Sequence, residues 1–200
     1  MSGLRDLFVT RLYEAELGRP ELLAELARSV RSLAAEDRAG QRWSREKGYK
    51  GYTSYASLND LPRRDPAFAD LAKHLARHAA AFAGDCAFDL ARKPRLDSLW
   101  VNLLKGSGAH SAHIHPHSII SGTLYLEVPP GSGAIRFEDP RLPMMMAAPM
   151  RRSDAPEPLQ HFVTVQPRPG TVLLWESWLR HEVLAGTSRG ERLSISFNFA

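Results

Sequence analysis

Residues 193–199 read Leu193-Ser194-Ile195-Ser196-Phe197-Asn198-Phe199, an unbroken alternation of apolar and polar side chains. Side chains along a β-strand point to opposite faces in turn, so this pattern predicts a strand with one buried face. Further back in the chain, five more segments have strand character and are separated by turns rich in glycine and proline. They are Leu96–Leu104, Ile119–Val128, Ala134–Phe137, His161–Gln166 and Thr171–Trp175.

No helical pattern lies between these segments, so we expect an antiparallel sheet folded into a double-sheet jelly roll. One region of this half lacks any periodicity. Residues 138–160 contain five prolines and the run Met144-Met145-Met146. Such a stretch predicts a long loop, and long loops in compact domains often cover or contact a binding site.

The first 95 residues have a helical pattern instead. Pro20 suits the first turn of a helix, and leucines and a valine follow at three- and four-residue spacing up to Gly40. A second helix is predicted from Asp65, as the N-cap, to Gly84. We therefore predict one domain over residues 1–200, in which a helical buttress (1–95) supports a β core (96–200). The segment 48–55, rich in glycine and tyrosine, is either a connector or part of a pocket wall.

The composition excludes several classes of protein. Hydrophobic residues make up 44% and charged residues 24%, which is typical of a globular domain. The formal net charge is +4, but the basic residues form no dense run, so we expect no nucleic-acid partner. No apolar stretch reaches the roughly 18 residues that cross a bilayer. Cys86 is the only cysteine, and the first 16 residues lack a signal-peptide core, so we expect a cytoplasmic protein. Nothing indicates the oligomeric state.

Four of the eight histidines lie in one short window, His110-Ser-Ala-His113-Ile-His115-Pro-His117. Imidazole is the commonest side-chain ligand of transition metals, so this window predicts a metal site. In an extended segment His113 and His115 share a face and can bind one ion. His110 and His117, at the margins, would line the pocket or face water. The best third ligand is His181, which follows the strand 171–175, and His161 is a weaker competitor.

An ordered set of short motifs surrounds these histidines. They are His113-Ile-His115-Pro116, Ser121-Gly122-Thr123-Leu124-Tyr125, Ser132-Gly133, Pro169-Gly170, His181-Glu182-Val183 and Arg192. In this order and spacing, residues 96–200 resemble the Fe(II)- and 2-oxoglutarate-dependent oxygenases. They are most similar to prolyl-hydroxylase-like members that carry a His-x-His-Pro motif.

The resemblance implies a double-stranded β-helix, which is a cupin-like jelly roll, with flanking helices. It also implies an enzyme that uses Fe(II), O2 and the co-substrate 2-oxoglutarate. Such an enzyme hydroxylates a small molecule or a peptide and releases succinate and CO2. By the same resemblance, Arg192 would bind the distal carboxylate of 2-oxoglutarate through its two-pronged guanidinium, with Ser194 and Tyr125 beside it.

One position departs from the family pattern. Most members carry Asp or Glu where this chain has His115. Three arrangements are open: three histidines, a carboxylate supplied from elsewhere, or two protein ligands only. Glu138 and Asp139 are the spare carboxylates that follow the glycine-rich turn. We favour His113, His115 and His181 as the metal ligands.

Two other functions are compatible with the histidines. A cupin-type metal dioxygenase also uses His-x-His and a later histidine, but it expects a glutamate where Ile119 and Ile120 stand. A non-catalytic jelly roll that binds a metal or a small molecule would have no need for Arg192. The substrate is not indicated, although Trp100, Asn102, Tyr52, Tyr55 and Met144–Met146 are candidates to shape a pocket.

Overall fold

The computed structural model describes residues 3–200. The strands are β1 (Leu12–Glu16), β2 (Gly51–Thr53), β3 (Leu96–Lys105), β4 (His110–His113), β5 (Ile120–Glu127), β6 (Ile135–Glu138), β7 (Phe162–Val165), β8 (Thr171–Glu176), β9 (His181–Val183) and β10 (Glu191–Phe199). The helices are α1 (Pro20–Glu36), α2 (Arg38–Glu46), α3 (Leu61–Arg64) and α4 (Pro66–Asp85).

The strands form two antiparallel sheets. The major sheet has six strands in the order β1-β8-β5-β10-β3-β2, and the minor sheet has four in the order β4-β9-β6-β7. Strands that are far apart in the chain lie side by side in both sheets, as a jelly roll requires. The predicted fold class, a mainly β double-sheet core with flanking helices, is confirmed.

The alternation along β10 sorts its side chains between two different environments. Leu193, Ile195, Phe197 and Phe199 are fully buried against α1, α4 and the neighbouring strands. Burying each such side chain contributes about 1.5–3 kcal/mol, so this face attaches the helices firmly to the major sheet. The opposite face of β10 points into the space between the two sheets.

A smaller hydrophobic cluster lies between the two sheets. It consists of Tyr125, Ile135, Phe137, Leu173, Trp175 and Leu179. Strand β8 shows the same division as β10, because Leu173 and Trp175 join this cluster while Val172 and Leu174 join the helix-facing core.

Two features of the first 95 residues differ from the prediction. The major sheet takes both of its edge strands, β1 and β2, from a region predicted to be helical. Both strands are short, with three to five residues, so neither gives a clear period-two signal. The helix predicted from Pro20 to Gly40 is also divided at Asp37, where the carboxylate accepts a hydrogen bond from Gly40 N–H and begins α2.

Two further predictions, the second helix and the proline-rich loop, agree with the structure. Helix α4 begins at Pro66 with Asp65 as its N-cap, since the Asp65 carboxylate accepts from the Ala67 N–H. The proline-rich region between β6 and β7 is a loop with two short 3₁₀ turns, Leu142–Met144 and Glu157–Leu159. Among residues 3–200, no helix has both the length and the apolar character that a membrane crossing requires.

Candidate metal centre and adjoining pocket

Strand pairing brings the first and last predicted metal ligands together. His113 ends β4 and His181 begins β9, and the two residues are direct partners in the antiparallel register. Their ring centroids are 4.4 Å apart. Two residues that are 68 positions apart in the sequence are therefore neighbours on adjacent strands of the minor sheet.

His115 completes the cluster from the residue pair that follows β4. Its backbone N–H donates to the carbonyl of Ser177 at 3.0 Å, which fixes the segment against the connection between β8 and β9. Its ring centroid lies 5.1 Å from that of His113 and 5.1 Å from that of His181. Ligand nitrogens of the three histidines all lie within 4.8 Å of one another, which is close enough to hold one metal ion.

Hydrogen bonds determine which nitrogen of each ring faces the cluster. Nδ1 of His113 donates to the Ser111 carbonyl at 2.7 Å, and Nδ1 of His181 donates to the Leu179 carbonyl at 2.9 Å. Nδ1 of His115 donates to Oδ1 of Asn198 at 2.7 Å. Each Nδ1 thus carries the proton, and each Nε2 keeps a lone pair that is free to bind a metal.

Burial keeps two of these imidazoles neutral. It lowers the pKa of His181 to about 3. It also lowers the pKa of His115, although the hydrogen bond to Asn198 opposes this effect. Nε2 of His115 is buried and has no hydrogen-bond partner in the described part of the chain. An unpartnered, neutral nitrogen that faces two other imidazoles fits a transition-metal ion such as Fe(II).

The two spare carboxylates are engaged elsewhere. Glu138 forms an ion pair with Arg180 at 3.1 Å, and Asp139 forms one with Arg141 at 2.9 Å. Neither residue belongs to the histidine cluster. The geometry therefore favours three histidines over a ligand set that includes Glu138 or Asp139.

A pocket of about 530 Å³ adjoins the three histidines between the two sheets. The inward face of β10 lines it with Arg192, Ser194, Ser196 and Asn198. Arg192 is 4% exposed, so its charge is almost completely removed from water. One guanidinium N–H donates to the Gly133 carbonyl at 2.9 Å, while Nε is buried without a hydrogen-bond partner among residues 3–200. A buried arginine with a spare N–H suits an anionic ligand.

Tyr125 and Ser194, the other two predicted co-substrate contacts, lie in the same pocket. The guanidinium carbon of Arg192 is 5.7 Å from the centre of the Tyr125 ring. Burial raises the pKa of Tyr125 to about 12, so its hydroxyl stays protonated at neutral pH. The structure thus brings all six predicted site residues to a single cavity.

Other candidates from the sequence divide between the pocket and the surface. Trp100, Asn102 and Tyr55 line the pocket, as does Tyr49 from the same loop, so the segment 48–55 is partly a pocket wall. The suggestion that Tyr52 shapes the pocket is wrong, because Tyr52 packs in the helix-facing core and donates to Asp37. Met144 and Met146 are 73% and 98% exposed and lie outside the pocket lining.

The marginal histidines also differ from each other. His110 lines the pocket and bonds through Nε2 to the Tyr49 hydroxyl at 2.9 Å. Burial, together with smaller effects of Arg192 and His113, lowers its pKa to about 3. His117 and His161 lie outside the pocket lining.

Two residues that contact the rings of the histidine cluster were not identified from the sequence. Asn198 accepts from His115 and from Ser121, and its amide donates to Ser98 at 3.1 Å. Trp175 packs on His181 with ring centroids 4.7 Å apart. The sequence did place Asn198 on the polar face of the predicted strand 193–199. That position gave no indication that its side chain bonds to His115.

Comparisons with known proteins identify a family and a fold. Residues 98–198 match the family described as "Putative 2OG-Fe(II) oxygenase". No protein of curated function matches the sequence.

Solved structures of low sequence identity share the fold. A Pseudomonas putida prolyl-4-hydroxylase superposes with a TM-score of 0.62 at 17% identity, over 95% of this chain and 92% of that one. SnoN, an α-ketoglutarate-dependent epimerase from nogalamycin biosynthesis, gives 0.65 at 19% identity, over 95% and 76%. EctD from S. alaskensis gives 0.65 at 14% identity, over 95% and 72%. These structures confirm the fold, and the family match over residues 98–198 confirms the resemblance found in the sequence.

Proposed function

This chain belongs to the 2OG-Fe(II) oxygenase family, and from that premise we propose that it hydroxylates an organic substrate at an iron centre held by His113, His115 and His181. The family depends on Fe(II), 2-oxoglutarate and O2, as predicted from the sequence. In the proposed reaction one oxygen atom of O2 enters succinate and the other enters the hydroxylated product. The lost carboxylate of 2-oxoglutarate leaves as CO2, so atoms and electrons balance.

The three Nε2 atoms would hold the iron from one side of the pocket. Bound iron supplies the redox chemistry that activates O2 with two electrons taken from 2-oxoglutarate. The protein contributes rigid ligands, because every Nδ1–H is held by an oxygen acceptor before any metal arrives. Three protein ligands leave further positions open for the co-substrate and O2.

Arg192 would anchor the distal carboxylate of 2-oxoglutarate. A guanidinium can donate two parallel hydrogen bonds to one carboxylate, and burial strengthens them. Ser194 lies two residues along the same strand face, and the protonated Tyr125 hydroxyl can donate a further hydrogen bond. No lysine or other arginine is among the described residues that line the pocket, so Arg192 is its one permanent cation.

One observation carries the proposal: a buried arginine with an unpartnered N–H shares a single pocket with three converging, metal-ready imidazoles. A cupin-type dioxygenase has no use for the arginine. A non-catalytic binding protein has no use for the co-substrate site. The family match favours the oxygenase over both.

The test is titration of the full chain with Fe(II) and 2-oxoglutarate without oxygen. We expect one Fe(II) per chain and a weak visible charge-transfer band that needs both ligands, because 2-oxoglutarate chelates the iron. Admitting O2 should yield succinate and CO2. His113→Ala and His181→Ala should lose the metal. Metal retention by both variants, or a band without 2-oxoglutarate, would contradict the proposed site.

A further inference from the structure

An aromatic row leads from the histidine cluster toward the protein surface. Trp100 stacks on His115 with ring centroids 5.8 Å apart and planes 29° from parallel. Tyr55 packs edge-on to Trp100 at 5.3 Å, and Trp43 packs on Tyr55 at 6.0 Å. Trp100 is 9% exposed and Tyr55 is 59% exposed, so the row runs from a buried position toward solvent. All three side chains line the pocket.

This row is separate from the two hydrophobic clusters. Trp100, Tyr55 and Trp43 belong to neither of the two apolar clusters that the described residues form. Trp43 comes from α2, Tyr55 follows β2 and Trp100 is in β3, so three separate elements place aromatic rings along one wall. A large aromatic surface that packs against a cavity instead of a core is available to a ligand.

The charges of the pocket restrict that ligand further. Among the described lining residues there is no Asp, no Glu and no Lys, and the one arginine is assigned to the co-substrate. A cationic ligand would therefore find no carboxylate to pair with and would face Arg192 in a poorly solvated space. The volume of about 530 Å³ falls within the range of about 300–1,000 Å³ for small-molecule sites.

We propose that the substrate is a small molecule with a flat aromatic ring system that carries no positive charge, and that its ring packs along Trp100, Tyr55 and Trp43 beside the iron centre. The placement of the substrate beside the iron centre rests on the proposed function. The aromatic wall formed by Trp100, Tyr55 and Trp43 is present without iron or co-substrate, so it can be tested by ligand binding alone.

Three probes with the same carbon skeleton separate the two parts of the inference. They are 2-naphthoate, its fully saturated decahydro analogue, and 2-naphthylmethylammonium. Each is titrated calorimetrically into the full chain, both metal-free and loaded with Zn(II) and 2-oxoglutarate. We expect 2-naphthoate to bind about tenfold more tightly than either of the others. Ring stacking favours it over the saturated analogue, and the absence of Asp and Glu from the pocket lining favours it over the ammonium.

Substitutions in the aromatic wall test whether it is the surface that binds the flat ring. Tyr55→Leu and Trp100→Leu should each remove most of the preference for the flat ring over the saturated one. Tyr55 is exposed, so its variant provides the test even if Trp100→Leu folds poorly. Trp178→Leu is the matched control, because Trp178 is 46% exposed and outside the pocket lining. It should keep the full preference.

Equal affinities for the flat and saturated probes, or tighter binding of the ammonium, would overturn the inference. That outcome together with normal Fe(II) and 2-oxoglutarate binding would leave the proposed function standing. A preference for the flat ring without Fe(II) binding would contradict the proposed function and leave the aromatic wall standing.

Discussion

At the scale of single residues, the site depends on side chains that act through others as well as on those that would touch ligands. His113 and His115 are visible in the sequence because they share one short window, and His181 because it follows a strand. Asn198 is 83 positions from the ring it orients, so only folding brings the two together. The same is true of the Gly133 carbonyl that holds Arg192, 59 positions away.

Asn198 is a positioning residue for the metal centre, and Asn198→Ala should weaken Co(II) or Fe(II) binding by about 10- to 100-fold. Without the Oδ1 acceptor, nothing holds the proton on Nδ1 of His115 or the ring in its plane. Calorimetric titration of the metal measures the loss. Asn198→Asp keeps an acceptor and should restore most of the affinity. Asn102→Ala is the matched control, since Asn102 also lines the pocket but bonds to Thr53 and Ser196 instead. Unchanged affinity in Asn198→Ala would contradict this role.

Arg192→Ala should weaken 2-oxoglutarate binding to the iron-loaded protein by about two to four orders of magnitude, because two charge-assisted hydrogen bonds are lost. Arg192→Lys keeps the charge but not the fork, and we expect an intermediate loss. Iron affinity should stay the same in both, since the guanidinium is not a ligand. Arg136→Ala serves as the control, because Arg136 pairs with Glu182 outside the pocket lining. A normal dissociation constant in Arg192→Ala would place the carboxylate elsewhere.

At the scale of elements, the long segments were predictable and the short ones were not. Strand β10 and helix α4 each have several buried residues at a regular period, so local sequence determines their type. Strands β4 and β9 have four and three residues and are defined by pairing: β4 pairs with β9, and β9 also pairs with β6. The helix predicted from Pro20 continued past Asp37, because the hydrogen bonds that Asp37 accepts from Tyr52 and Ser57 come from residues later in the chain.

Asp37 links α2 to the loop after β2, and this link should make stability depend on acid pH. Burial alone would raise the pKa of Asp37, but hydrogen bonds from Ser57, Gly40 and Tyr52 outweigh it and lower the pKa. A carboxyl whose pKa is lower in the folded state stabilises the fold above its unfolded value of about 3.9, and this contribution disappears as the pH falls through the folded value.

Asp37→Asn should therefore cost about 1–3 kcal/mol at pH 7 and less at pH 3, because the carboxyl of the unfolded chain is then largely protonated and the advantage of the lowered folded-state pKa is reduced. Urea denaturation at the two pH values measures the difference. Asp89→Asn, at an exposed position, should change stability little at either pH. If the cost of Asp37→Asn were the same at both pH values, the ionised carboxylate would not be the stabilising form.

At the scale of the whole molecule, the two halves of the chain share one core and one pocket. Helices α1 and α4 contribute Leu26, Phe68 and Leu71 to the same apolar cluster as Ile195 and Phe197 of β10. The first 95 residues also contribute Trp43, Tyr49 and Tyr55 to the pocket. The description of residues 1–95 as a helical buttress therefore leaves out their part in the pocket. The sequence indicated the segment 48–55 as either a connector or a pocket wall, but helical periodicity did not identify Trp43 of α2 as a pocket residue.

The shared core predicts that residues 1–200 unfold as a single domain. Leu71→Ala in α4 and Ile195→Ala in β10 each remove a fully buried side chain and should each cost about 2–5 kcal/mol. Calorimetry of the metal-free protein should show one transition in the parent, with equal calorimetric and van't Hoff enthalpies. Both variants should lower that same transition by about 5–15 °C. Leu159→Ala, at a position 47% exposed, should leave it nearly unchanged. Two transitions, of which Leu71→Ala shifted one and Ile195→Ala the other, would instead mean that the helices and the jelly roll fold independently, and the apolar cluster between them would then contribute little to holding the pocket together.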